Sequence, residues 1–155
     1  MLTLYKGLTK TIEWLLIVTF SLLVLDVLWQ VFGRYVLNQS YSFTEEFARF
    51  ALIWLTILGA AYLNGRREHL AMDYWLNKLE PAARARRMRI IELIMFVFAL
   101  VIMVVGGGNL VYTTLRLGQL SAAMQVPLGL VYAVVPFSGL LIMFFSLYNY
   151  SRHEH

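Results

Sequence analysis

Four apolar stretches, Ile12–Val31, Phe47–Leu63, Ile90–Leu115 and Leu128–Tyr150, dominate the 155-residue chain. Each approaches or exceeds the roughly 17–25 residues that a helix needs to cross a bilayer. Hydrophobic residues make up 60% of the chain and charged ones 14%, with a mean hydropathy of +0.67, whereas a soluble domain carries about a quarter charged residues. The sequence therefore predicts an all-α integral membrane protein, one membrane domain over 1–155, with transmembrane helices at about 11–33, 43–64, 82–116 and 127–150.

Charge sets the expected orientation. Of the 13 basic residues, ten (Lys6, Lys10, Arg66, Arg67, Lys78, Arg84, Arg86, Arg87, Arg89 and Arg152) fall on one side, and three (Arg34, Arg49 and Arg116) on the other. Basic segments are retained in the cytoplasm during insertion, so both termini are expected inside a bacterial inner membrane. The first apolar run contains Asp26 and ends Val31-Phe32-Gly33-Arg34 without a small-x-small cleavage site, so it reads as a retained span rather than a signal peptide. The net charge of +4 lies beside the spans, with no basic-aromatic module of the kind that binds nucleic acid. Cysteine is absent, which excludes disulfides, thiolate nucleophiles and iron–sulfur ligation.

Local signals refine the picture. Ser42-Phe43-Thr44-Glu45 has the pattern of a capping box opening the second helix, and Glu45 and Glu46 suit the positive end of its dipole. Between the second and third spans, Met72, Trp75, Leu76 and Leu79 follow helical spacing, which predicts a short amphipathic helix over 70–80 lying in the interface. Pro81 suits the first position of the third helix. Arg84, Arg86, Arg87 and Arg89 oppose that helix's dipole and are expected to meet lipid headgroups, with Trp75. Gly106-Gly107-Gly108 and Pro136 predict a kink at one or both places.

Polar residues inside the spans are the candidates for function. Asp26 shares a helical stripe with Thr19, Gln30 and Gly33, with Arg34 beside it. It reads as a hydrogen-bonded aspartate packed on another helix, as a carrier of a transported proton or cation, or as part of an interface with another subunit. Glu45, Glu46 and Arg49 are compatible with a cap plus an intrahelical ion pair, or with an extracytoplasmic docking surface. His69 and Asp73, two potential ligands without a third, suit an interfacial hydrogen bond better than a metal. His69, His153 and His155 all lie outside the spans, against an intramembrane haem in an oxidoreductase anchor. No nucleotide-binding loop or hydrolase motif is present, and one chain with few intramembrane charges and no internal repeat offers little for a complete ion-coupled pathway. A non-catalytic component of a larger assembly is expected, with an oxidoreductase anchor and a self-sufficient proton-coupled exporter as rivals.

The segment GRYVLNQSYSFTEEFARFALIWLTILGAAYLNGRREH resembles the small membrane subunit of tripartite ATP-independent periplasmic (TRAP) transporters, the DctQ-like proteins. The resemblance rests on Arg34-Tyr35, Glu45-Glu46, Ala48-Arg49, Trp54-Leu55, Leu58-Gly59-Ala60-Ala61, Arg66-Arg67, His69 and Asp73; Ser42-Phe43-Thr44 stand where the family often has Trp. It implies an accessory scaffold for a sodium-coupled importer of a small carboxylate, such as a C4-dicarboxylate or sialic acid. It also implies two protein partners, a large DctM-like membrane subunit and a periplasmic substrate-binding protein. Substrate and sodium sites are then expected on the large subunit, and no catalytic, substrate, metal or cofactor site on this chain. Asp26, Gln30, Arg34, Glu45, Glu46, Arg49, Trp54, Gly59, His69 and Asp73 are its candidate interface or structural residues.

Overall fold

The computed structural model describes residues 2–39, 41–66 and 81–151, and among them every long element is a helix. Helix α1 covers Leu2–Tyr35 and α2 covers Ser42–Arg66. Then come α3, Pro81–Phe98, a π-helical segment, Ala99–Gly106, and α4, Gly107–Arg116, which together make one continuous rod. After a loop follow α5, Leu128–Tyr132, and α6, Val134–Ser151. Four spans long and apolar enough to cross a membrane result: Tyr5–Tyr35, Ser42–Arg66, Arg86–Arg116 and Leu128–Tyr150. The protein is thus an all-α, multi-pass membrane protein. The expected interfacial helix over 70–80, with His69, Asp73 and Trp75, lies outside the described residues.

Helix boundaries depart from the apolar runs in one consistent way: α1 begins well before the expected residue 11 and α2 runs on to Arg66. Polar residues such as Lys6 and Lys10 do not stop a helix, because their side chains reach water while the backbone bonds continue. Pro81 is the first residue of α3, as expected.

The spans form a row rather than a closed bundle. The first packs along the second, the second along the fourth, and the fourth carries the third on its other side. The first and third spans, at the two ends of the row, share no substantial contact among the described residues. Burial follows this order: 44% of the fourth span's apolar stretch is inside the protein, against 6% of the first and 11% of the third. The core is therefore a set of seams, where Ile12, Leu58, Ala61, Ala99, Val134, Ile142 and Phe145 meet.

Small residues set how closely the seams approach. A Cβ on Gly139 would lie 2.7 Å from Met103 Cβ, and one on Gly107 would lie 2.8 Å from Val135 Cγ1 and 3.1 Å from Pro136 Cδ. Lipid chains are as apolar as leucine, so helices in a membrane gain from close backbone packing rather than from burial as such. Regular α geometry is interrupted near both places where a kink was expected, and the two places touch. Pro136 cannot donate to the Tyr132 carbonyl, and the fourth span breaks at Ala133 between α5 and α6. The π turns end at Gly107, whose N–H sits among the carbonyls of Ile102, Met103 and Val104 as the rod returns to α geometry.

Candidate functional site

Asp26, Gln30, Arg34, Glu45 and Glu46 gather at the face of the row where α1 turns into α2 and where the loop 117–127 joins α4 to α5. Gln30 is the hub between the first two spans. Its amide donates to Asp26 Oδ2 at 2.6 Å and to the Thr44 carbonyl at 3.0 Å. Asp26 thus lies in the stripe Ile12, Thr19, Leu23, Gln30 and Gly33 that α1 turns toward α2, spaced about seven residues per two turns. Its described hydrogen bond is made within α1, to Gln30 one turn on. Gly33 lies on the same stripe, its missing Cβ leaving room for the Gln39 carbonyl at 3.3 Å.

The start of α2 differs from the expected capping box. Its first turn hangs on the Tyr41 carbonyl, which accepts from the Thr44 N–H at 3.2 Å, the Glu45 N–H at 3.4 Å and the Thr44 hydroxyl at 2.8 Å. Glu45 instead directs Oε1 to Arg34 of α1 at 3.5 Å, with both side chains largely in the open. The expected Glu45–Arg49 pair within α2 is therefore replaced by a contact between helices, because Arg34 at the end of α1 projects beside that turn.

Glu46 holds the loop. Its Oε1 accepts the N–H of Ala122 at 3.0 Å, and its Oε2 accepts those of Ala123 at 2.9 Å and Met124 at 2.7 Å. Three consecutive backbone amides converge on one carboxylate, the arrangement of an anion-binding nest. The loop is pre-shaped for it. Gly118, with φ +61°, closes the end of α4 by a Schellman pattern, Gln119 N–H to Thr114 O at 3.1 Å and Gly118 N–H to Leu115 O at 3.0 Å. Ser121 and Val126 then pair through Ser121 N–H to Val126 O at 2.9 Å and Val126 N–H to Ser121 Oγ at 3.3 Å. Gln125, itself at φ 54°, folds its amide back onto the carbonyls of Ser121 and Ala122. The carboxylate that the sequence offered as part of a cap and ion pair or of a docking surface is thus bound to the loop, and the sequence reading missed its partners because they are backbone groups of Ala122, Ala123 and Met124.

Deeper along α2, the Trp54 indole N–H donates to the Val131 carbonyl at 3.0 Å, just before the break at Ala133. Arg49 and Gly59 stay on the outer side of α2: Arg49 is exposed, and nothing lies within 4 Å of a Cβ built on Gly59. Arg86, Arg87 and Arg89 are exposed along α3, in which Arg84 also lies.

The opposite face of the row, where α2 ends and α1 begins, carries a second polar set that sequence reasoning did not single out. A helix leaves its last carbonyls without partners, and here two of α2's are satisfied by other helices. The Tyr5 hydroxyl donates to the Gly65 carbonyl at 2.8 Å, and the Asn149 amide to the Asn64 carbonyl at 3.4 Å. Asn64 also reaches Ser146 Oγ at 3.3 Å, and all three polar side chains, Asn64, Ser146 and Asn149, are buried. Tyr5 stacks on Tyr148 and meets Phe145 edge-on, carrying the start of α1 across to α6. Among the described residues, no group of three or more His, Asp or Glu side chains is placed to hold a metal. Apart from side chains such as Thr9, Thr56 and Thr114, which bond back onto their own helix, the polar contacts described above join helices or hold a loop, the arrangement of a framework.

The family pattern of tripartite ATP-independent periplasmic transporters, DctQ component, matches residues 23–154. The chain belongs to the DctQ family. It is similar to a protein of Haemophilus influenzae described as a TRAP transporter small permease protein, with 29% identity over 142 residues, covering 92% of this chain and 86% of that protein. It is also similar to the sialic acid TRAP transporter small permease protein SiaQ of Vibrio cholerae, 27% identical over 140 residues, covering 86% of this chain and 81% of that one. Such a DctQ component is one part of a three-part transporter, in keeping with a chain whose polar groups are spent on its own architecture.

Proposed function

We propose that this DctQ protein is the stationary accessory subunit of a sodium-coupled, binding-protein-dependent importer of a small organic carboxylate. In this reading it sits in a bacterial inner membrane with both termini in the cytoplasm. It braces the fixed part of a large membrane subunit, which carries the substrate and sodium sites, while a periplasmic binding protein delivers substrate. The observation that carries this is the row of spans, in which only 6% and 11% of the residues in the apolar stretches of the first and third spans are buried. A protein that moved substrate through itself would surround a path, whereas a row offers flanks. A carboxylate cargo is supported by the Vibrio cholerae relative, whose name specifies sialic acid. The exporter reading needs Asp26 as a proton carrier, and Asp26 is engaged with Gln30 at 2.6 Å.

Uptake in proteoliposomes tests the reading. Sodium-driven accumulation of a labelled C4-dicarboxylate or sialic acid should require this chain, the large subunit and the binding protein together. Accumulation by this chain alone would overturn the accessory role. Orientation is tested by introduced cysteines, which are unique in this chain: Gln119→Cys should react with an impermeant thiol reagent in intact cells, and Arg86→Cys only after permeabilisation.

A further inference from the structure

The third and fourth spans leave a gap between them where α3 begins and α6 ends. A cavity of about 200 Å³ lies there, lined by Glu92, Leu93 and Phe96 of α3 and by Ser146, Leu147 and Tyr150 of α6. Ser146 is buried and Glu92 and Phe96 are half-buried, so they form its floor, whereas Leu93, Leu147 and Tyr150 are exposed and form its rim. Tyr150 is the last residue of the fourth span, the depth at which tyrosine rings meet lipid headgroups. The cavity therefore opens sideways onto acyl chains, just beneath the headgroup layer.

Toward the start of α3 the same stripe turns basic. Arg86, Arg89, Leu93 and Phe96 follow one another at intervals of three, four and three residues, the spacing of one helix face, while Arg87 falls on another side. Arg86 and Arg89 are exposed, and neither is hydrogen-bonded to or paired with a described residue. They stand in the early turns of α3, where the helix dipole opposes a cation, so an external anion is the charge that complements them. Glu92 sets one negative charge against these two positive ones, and the face stays net positive. Size narrows the occupant further. An apolar cavity of about 150 Å³ accepts a benzene-sized molecule, so the space here matches a bent length of one hydrocarbon chain. It is far too narrow for a helix, which is roughly 10–12 Å across. A free anion would meet the arginines but leave the walls of Leu93, Phe96 and Leu147 without an apolar neighbour.

We infer that this cavity is a binding site for an anionic phospholipid, its phosphate held by Arg86 and Arg89 and one acyl chain laid between Leu93, Phe96 and Leu147, with Tyr150 at the mouth. The inference goes beyond the accessory-subunit reading and stands without it. Bound in this way, the lipid completes the seam between α3 and α6 where no side chain fills it, and it supplies the negative charge that the first turns of α3 lack.

The test is native mass spectrometry of the full chain released from nanodiscs that hold phosphatidylglycerol and phosphatidylcholine in equal amounts. Retained phosphatidylglycerol should exceed phosphatidylcholine at least ~5-fold. Arg86→Gln combined with Arg89→Gln should erase that preference, the corresponding pair of lysine substitutions should keep most of it, and Arg87→Gln, on another side of α3, should leave it intact. Leu147→Trp alters an exposed rim position and fills the cavity, so it should lower retention of both lipids while helicity stays unchanged. A benzophenone amino acid at Leu93 should crosslink to phospholipid, in the chain alone and in the assembled transporter. Equal retention of the two lipids by the unaltered chain, a preference that survives the double glutamine change, undiminished retention in Leu147→Trp, or crosslinks from Leu93 only to protein would each overturn the assignment.

Discussion

Glu46 and Met124, 78 residues apart in sequence, are joined by a backbone N–H donated to a carboxylate at 2.7 Å, the shortest of three such bonds that Glu46 receives. One side chain of the second span thus organises the loop between the third and fourth. Glu46→Ala should release that loop. Hydrogen exchange at the amides of Ala122, Ala123 and Met124 should accelerate at least ~10-fold, while the buried turns around Leu141 and Phe145 stay protected. Glu46→Gln, which keeps an acceptor oxygen but sets an NH2 group against the donors, should fall between the two. Unchanged exchange in Glu46→Ala would show that the loop's own bonds through Ser121 and Gln125 suffice.

Gln30 joins the first span to the second through the Thr44 carbonyl, and Asp26 holds the Gln30 amide from one turn earlier in α1, so shape and acceptor matter there more than charge. Asp26→Asn should keep transport and assembly near normal. Asp26→Leu removes the acceptor and leaves Gln30 with the Thr44 carbonyl alone. An intramolecular hydrogen bond of this kind contributes on the order of 0.5–1.5 kcal/mol, and a denaturation series in mixed micelles should resolve that loss. If Asp26→Asn abolished transport while the complex stayed assembled, ionisation at this position would be required after all.

The glycines divide into two classes with opposite expectations. Gly139→Leu must displace Met103 and Val104, which a Cβ alone would approach at 2.7 and 3.0 Å. Overpacking of this kind costs about 1–3 kcal/mol, and it should appear as a lowered unfolding midpoint of the isolated chain. Gly59→Ala should leave that midpoint within about 0.5 kcal/mol, because nothing in the chain occupies the space. Equal effects would mean that the third and fourth spans yield more readily than their contacts suggest.

Tyr5→Phe keeps the ring contacts with Phe145 and Tyr148 and removes only the hydroxyl that serves the Gly65 carbonyl. A buried acceptor left without its donor costs about 1–3 kcal/mol. The first turns of α1 should then exchange faster. Unchanged exchange would show that the aromatic contacts alone hold this end.

Apolar length located the four spans, and helical spacing grouped Thr19, Asp26, Gln30 and Gly33 on one stripe of α1, without saying that α2 is the helix it meets. Both are periodic signals carried by side chains. Glu46's partners carried none, because any sequence adopting that turn presents the same amides. The Glu45–Arg49 spacing suggested a pair, yet the competitor Arg34 comes from a different helix, which spacing along α2 cannot show. The π turns at Ala99–Gly106 read as ordinary apolar helix. Their setting is tertiary: Gly139 draws the fourth span in against Met103 and Val104.

Side-by-side packing has a consequence for the surrounding bilayer. Helices about 10 Å apart in single file occupy a strip roughly 40 Å long and one helix wide, so their perimeter in the membrane exceeds that of four helices gathered into a square. Every length of that perimeter is lined by acyl chains whose motion is restricted. Covering one long flank would free nearly half of them at once. Lipid entropy then favours attachment along the whole strip, before any particular residue has found its counterpart.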